Sequence, residues 1–365
     1  MTIYKDDHLV NSSFENNLKD DILYFQWLYT RLESSKTNLW IIGLRPHPYE
    51  DTWSEFVVEK YNQLSVKPDK ILLNIPPDNY STKAWDNLID TLIGLGYDNS
   101  QLMGIYSSFT SPIPKIPCLA DYKFLNRYLV YEKINYTDIF SRKYKFVSLA
   151  GMARPNRIMF TKELLMRNLQ DHGIITCGSL GESYIKERSN TLYDFLDLGN
   201  YRSQFPIIHD SEFADSDSDK IHTPFLDAVY NVVQESAFED YLNLKDHPEF
   251  FVFISAGSLP LMTEKTTKAF GSYQIPVFVA SKGYVAEIRK LGFDVFDDIV
   301  DHSYDSINDP QQRMIFIANE VERLVNIKLP DNIKNRLINN YSLIKELYFK
   351  EKQRVSLEIL KWFNQ

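Results

Sequence analysis

The sequence predicts an α/β protein built from two parallel-sheet units in series, with a cleft between them. Three observations carry this reading. Short apolar runs alternate with amphipathic stretches. The alternation pauses at a Pro-rich passage and restarts at Tyr144. The chain has 365 residues, 44% of them hydrophobic, enough for two domains that each bury a core without disulfide or metal staples.

The elements follow in order along the chain. Residues 1–36 read as helical and partly amphipathic, through ILYFQWLYTRL. NLWIIGL (38–44) reads as a buried strand, followed by the loop RPHPYED. A helix at 52–63 leads to the strand ILLN (71–74) and the loop IPPDNYS. Ser81 suits the cap of a helix at 82–93, which Gly94 and Gly96 stop. QLMGIY (101–106) is a third strand. The segment 107–143, with a helix at 121–133, reads as a passage between domains.

In the second half, YKFVSLA (144–150) is a strand, 156–171 a helix and IITC (174–177) a strand. An irregular stretch (178–223) precedes the strand VYNVVQ (229–234). The helix EKTTKAF, the strand PVFVA (276–280), the helix YVAEIRKL and a short strand FDVF (293–296) come next. Helices at 310–327 and 331–363 close the chain. The expected domains are 1–142 and 143–330, with 331–365 as a C-terminal helix. Ligands of such sheets sit beyond the carboxyl ends of the strands.

Composition narrows the function. The formal net charge is −9 with no long Lys/Arg block, which disfavours non-specific nucleic-acid binding as the main task. Cys118 and Cys177 have neither disulfide nor zinc spacing, so a reducing, cytoplasmic setting is expected. The polar N-terminus lacks a signal-peptide core, and no apolar run approaches the ~20 residues of a membrane span. The N-x-S/T triplets at Asn11, Asn79, Asn135 and Asn340 therefore carry no reading. No GxGxxG, Walker A or H-E-x-x-H occurs, and only 13 glycines are present, which argues against a Gly-rich dinucleotide site.

Two constellations suit phosphate chemistry. In LAGMARPNRIMFTKEL, Arg154 and Arg157 precede or open a helix directly after a strand. Helix N-termini attract phosphate through unpaired N–H groups and the macrodipole, and arginine adds bidentate donors. In MTEKTTKAF, Thr263 suits an N-cap, Glu264 can accept sugar hydroxyls, and Lys265 can hold a phosphate with Lys268 one turn on. Two surface arginines and a solvated first turn are the plainer alternatives.

The run TEKTTKAFGSYQIPVFVASKGYVAEIRKLGFDVFDDIVDHSYDSI resembles the donor-binding region of α-1,3-fucosyltransferases and related, often phage-encoded, glycosyltransferases. YKFVSLAGMARPNRIMFTKEL is similar to the strand–Arg–x–x–Arg–helix element of the same group. The matched elements cover about 145–326 in the family's order, and nothing comparable is recognisable in 1–140. The resemblance implies two Rossmann-like domains facing across a cleft (GT-B type), with the donor site in the C-terminal half. It also implies that Glu264 contacts the donor sugar, while Lys265, Arg154 and Arg157 hold the diphosphate. An extra segment, AFEDYLNLKDHPEFFVFISAGSLPL, departs from the family and leaves the position of Glu235 open.

The implied reaction is attack by an acceptor hydroxyl on the anomeric carbon of a nucleotide sugar. Fixed cations and helix N-termini stabilise the departing diphosphate, so neither a metal nor another cofactor is expected. A carboxylate or histidine in the N-terminal half takes the acceptor proton. His47, Glu50 and Asp51 in RPHPYED are the candidates, with Asp78 behind them. The acceptor is a carbohydrate or other hydroxyl compound. A modified DNA base is the alternative acceptor, and would require a basic groove and base extrusion. A non-catalytic nucleotide-sugar or protein-binding module on the same fold is the other alternative. DSDSD (215–219) and the Asp294, Asp297, Asp298, Asp301 cluster read as a solvated loop and a surface turn rather than cation sites.

Overall fold

A computed structural model describes residues 3–7, 38–43, 53–74, 82–106, 116, 118–120, 136–151, 153–178, 190–207, 223–235, 238–239, 242 and 262–365. The chain is α/β, with two compact units. The first comprises Met1–Tyr122 and Tyr348–Gln365, and the second Lys123–Leu347. The boundary expected at residue 142 lies inside the second unit. There the Arg142 guanidinium donates to the carbonyls of Ala228 and Ser272 at 2.7 and 3.0 Å, tying this stretch to the second sheet.

The first unit holds five parallel strands in the order β1-β2-β3-β4-β5. They are β1 (Ile3–Asp7), β2 (Leu39–Gly43), β3 (Lys70–Asn74), β4 (Leu102–Tyr106) and β5 (Cys118–Ala120). Helix α1 (Trp53–Gln63) joins β2 to β3, and α2 (Thr82–Gly94) joins β3 to β4. Both crossovers step in the same direction, and parallel crossovers are right-handed, so both helices lie on one face.

Strand alternation then supplies the two cores. Trp40, Ile42, Ile71 and Leu73 pack with Trp53 and Val57 of α1 and with Trp85, Leu88 and Leu92 of α2. The opposite face, Leu39, Ile41, Leu72, Met103 and Ile105, is covered by Val355, Ile359, Trp362 and Phe363 near the C-terminus. Trp362 is pinned there: its indole N–H donates to the Ser100 carbonyl at 2.8 Å, and its own carbonyl accepts from Lys70 Nζ at 2.5 Å.

Two expectations change in this unit. Ile3–Asp7 is a strand in register with β2, not the start of a helix. Its polar Lys-Asp-Asp end reads poorly as a strand, but β1 ends the described sheet, where charge is tolerated. Residues 8–37 lie outside the described residues. Cys118–Ala120 adds a strand within the expected interdomain passage, too short to show a period.

The second unit contains β6 (Tyr144–Ala150), α3 (Pro155–Met166), β7 (Gly173–Cys177), α4 (Thr223–Asp227), β8 (Ala228–Gln234) and α5 (Glu264–Gly271). Then follow β9 (Ile275–Val279), α6 (Tyr284–Lys290), α7 (Pro310–Leu324) and the start of α8 (Ile333–Phe363), which belongs to the first unit from Tyr348 onward. Its four strands are parallel in the order β7-β6-β8-β9. The chain runs outward from β6 to β7 and then crosses to β8 on the other side of β6. In sheets of this kind such a reversal marks the place where ligands sit, beyond the carboxyl ends of β6 and β8. Every residue of β8 and of β9 is buried, as expected of parallel strands covered on both faces.

Three expectations change here. FDVF is not a strand: Phe296 has a positive φ of 64°, and Phe296 N–H donates to Asp294 Oδ1 at 2.8 Å. The Asn340 side chain takes both backbone groups of Asp294, at 2.9 and 2.7 Å. Local side chains thus satisfy the backbone that a strand would have paired. Helix α3 ends at Met166 rather than 171, because Asn168 turns into the left-handed region at φ 55°. The stretch expected to be irregular contains a helical segment at 190–195, a 3₁₀ turn at Gly199–Gln204 and a bridge from Cys177 to Ile207.

Candidate functional site

Two helices follow the strands that flank this reversal, α3 after β6 and α5 after β8. After β6, Arg154 is the N-cap residue of α3 and Pro155 its first helical residue; proline suits that position because its missing N–H would be unpaired anyway. Arg157 is buried in the first turn, and its Nη2 donates to the Gln234 carbonyl at 3.4 Å. Gln234 ends β8, and its side-chain amide donates to Ser148 of β6 at 2.9 Å.

The next residue, Glu235, organises the start of α5. Fully buried, its carboxylate accepts from Thr263 N–H and Thr263 Oγ1 at 3.3 and 2.5 Å, Thr266 Oγ1 at 2.6 Å and Tyr284 OH at 2.9 Å. The dipeptide Gln234–Glu235 therefore bonds to both helix starts, Arg157 on one side and Thr263 on the other. Burial pushes the Tyr284 hydroxyl well above its ordinary pKa, and the Glu235 charge adds to this. Tyr284 stays a neutral donor.

Thr263 caps α5 by accepting from Lys265 N–H at 3.3 Å. Lys265 Nζ lies 3.0 Å from Glu264 Oε1 and 3.3 Å from Thr263 Oγ1. Burial alone would raise the Glu264 carboxyl. Lys265, the backbone N–H of Glu264 and Lys268 outweigh it and hold the pKa at about 2. Glu264 is thus a fixed carboxylate and Lys265 a fixed ammonium, both partly exposed. Lys268, one turn on, sits 5.7 Å over the Phe225 ring.

The neighbouring helix start is occupied by a protein carboxylate. Asp305 accepts from Val285 N–H and Ala286 N–H, both at 3.0 Å, at the beginning of α6. The acidic cluster is likewise engaged. Asp294 and Asp298 share Arg336 at 2.5 and 2.7 Å, Asp297 pairs with Arg289 at 2.5 Å, and Asp301 caps the turn at Ser303. Among the described residues no group of three or more His, Cys, Asp or Glu is placed to hold a metal.

Of the expected site residues, the structure places Arg154, Arg157, Glu264 and Lys265 on two helix starts of the second unit, and Lys268 in the last turn of α5. His47, Glu50, Asp51, Asp78 and the DSDSD loop lie outside the described residues. Glu235, which the extra segment had left open, is brought against Thr263 across 28 positions of sequence. Its signal was a carboxylate directly after a mostly apolar parallel strand, where the chain leaves the sheet at its ligand-binding end. No helix among the described residues is long and apolar enough to cross a membrane. No family model, curated protein or solved structure matches the chain.

Proposed function

We propose that this chain is a nucleotide-sugar-dependent glycosyltransferase of the two-domain GT-B type, with the donor diphosphate held in the second unit. One observation carries the reading: the strand-order reversal is flanked by two helix starts bearing Arg154 and Arg157 on one side and Glu264 and Lys265 on the other. A diphosphate needs clustered N–H groups and fixed cations in a place partly shielded from water. Two buried polar atoms there, Asn156 Nδ2 and Gln234 Oε1, have no hydrogen-bond partner among the described residues. Such atoms carry a penalty of about 1–3 kcal/mol each, which ligand contacts would offset.

In this reading an acceptor hydroxyl attacks the anomeric carbon, the bond to the diphosphate oxygen breaks, and negative charge develops on the departing nucleoside diphosphate. Arg154, Arg157 and Lys265 stabilise that charge, and Glu264 accepts hydroxyls of the donor sugar. The acceptor is a carbohydrate or another hydroxyl compound, and the acceptor proton passes to a base in the first unit, with Glu50, His47 and Asp51 as candidates. Neither a metal ion nor another cofactor is required, because the neutralising cations are on the chain.

The test is thermal denaturation against a panel of nucleotide sugars, since a ligand of the folded state raises the apparent melting temperature by mass action. At least one nucleotide sugar and its nucleoside diphosphate should stabilise the chain. The absence of any shift across the panel contradicts the proposal. Stabilisation without sugar transfer to any acceptor would mark a binding module instead.

A further inference from the structure

We infer that Glu235 is a positioning residue for the Lys265 ammonium, acting through the Thr263 hydroxyl; this rests on the reading of α5 as the diphosphate site. The argument is proton accounting. A threonine hydroxyl has one proton and two lone pairs. Thr263 Oγ1 donates to Glu235 Oε2 at 2.5 Å, so the proton points there. Both lone pairs then face the far side, where Lys265 N–H and Lys265 Nζ approach, each at 3.3 Å. Glu235 is locked in turn, because its other oxygen takes Thr263 N–H, Thr266 Oγ1 and Tyr284 OH. The ammonium is thus held on the first turn of α5 by a carboxylate it does not itself touch through these bonds.

The consequence has an unusual sign. Removing a buried negative charge beside an anion site would, by Coulomb's law alone, tighten anion binding. Glu235→Gln should weaken it. The new amide nitrogen cannot face the three donors at Oε1, so it turns to the Oε2 side and donates to Thr263 Oγ1. One lone pair is consumed, the hydroxyl proton must rotate away, and a contact to Lys265 is lost.

The experiment is calorimetric titration of the full chain with inorganic pyrophosphate, which probes the diphosphate contacts without base or sugar. Wild type should bind. Glu235→Gln and Thr263→Val should each weaken binding about tenfold, the scale of one hydrogen bond to a charged group. Thr263→Ser, which keeps the hydroxyl, should bind as wild type does. In a Lys265→Ala background, Glu235→Gln should have no further effect, because the pathway it acts through is gone. Tighter binding by Glu235→Gln, or a loss that adds fully to that of Lys265→Ala, overturns this inference while leaving the site reading intact. If Glu235→Gln does not fold, Thr263→Val and Thr263→Ser decide alone: equal binding by the two overturns it. Failure of wild type to bind pyrophosphate overturns the site reading and this inference together.

Discussion

Lys265 Nζ sits 3.0 Å from the carboxylate of Glu264, the residue before it, in the first turn of α5. Neighbours along a helix diverge by about 100° in direction, so such a pair forms only where both side chains bend around the exposed helix end. Under the proposed function one ligand touches both, a phosphate at Lys265 and a sugar hydroxyl at Glu264.

That division of labour is testable. Lys265→Ala should weaken nucleoside diphosphate and intact nucleotide sugar alike, by ~2–3 kcal/mol for a charge-assisted contact. Glu264→Ala should leave the diphosphate binding no more weakly and impair the nucleotide sugar. Titration of each variant with both ligands separates the outcomes; equal loss of both by Glu264→Ala would assign that residue to helix formation.

Acid should destabilise the second unit through His302. Its Nε2 meets the Val295 carbonyl at 2.8 Å and must donate, so Nδ1 accepts from Tyr304 OH at 2.8 Å and the ring is neutral. Burial holds its pKa below the ordinary value. A depressed folded value means the unfolded chain takes up the proton first, so this contribution is intact above about pH 6.5 and is lost as pH falls through the folded value. Glu264 adds a later loss, from about 4.5 down to about 2. Urea midpoints should fall between pH 7.5 and 5.5, and His302→Gln should flatten that fall. An unchanged pH slope in the variant would contradict the neutral-ring network.

At Gly173 the backbone of β7 and the Phe146 ring leave no room for a side chain. A Cβ there would lie 2.5 Å from the Phe146 carbonyl oxygen and 2.6 Å from the ring. Gly173→Ala should destabilise the fold by about 1–3 kcal/mol, the usual range for overpacking, read as a lower urea midpoint. A neutral outcome would mean that β6 and β7 can part without loss.

In the first unit, Trp362→Ala should lower stability by about 3–5 kcal/mol, as large buried-to-alanine changes do. It uncovers the sheet face formed by Leu39, Ile41, Leu72, Met103 and Ile105. Urea denaturation followed by the fluorescence of the remaining tryptophans reads this unit, since Trp40, Trp53 and Trp85 all lie in its core. A midpoint equal to wild type would show that the terminal segment is not part of that core.

What could be read from sequence follows from burial. β9 was legible because covered faces on both sides demand an unbroken apolar run, β6 and β8 because they are mostly apolar, and α5 because Thr263, Glu264 and Lys265 spell a capped start. β1 was not, since a polar strand at the end of a sheet is held by backbone pairing rather than by propensity. FDVF misled because its Phe-Val-Phe spacing fits a strand, while Asn340, remote in sequence, supplies the bonds that decide its form. Glu235 was hidden for a similar reason: its partners Thr263, Thr266 and Tyr284 become neighbours only through folding.

Under the proposed function, metal independence is the expectation from the same placement of charge. EDTA-treated protein should retain most of its transferase rate with its best nucleotide sugar. Loss on chelation and recovery with manganese would return attention to the DSDSD loop.

The most direct measurement is release of nucleoside diphosphate from that nucleotide sugar, in the presence of an acceptor, by wild type, Lys265→Ala and Arg157→Ala. The account predicts turnover by the wild type and a loss of about thirtyfold or more in each variant, the equivalent of ~2 kcal/mol removed from the transition state, with melting temperatures near that of wild type. Wild-type rates in both folded variants would contradict the placement of the donor diphosphate between α3 and α5.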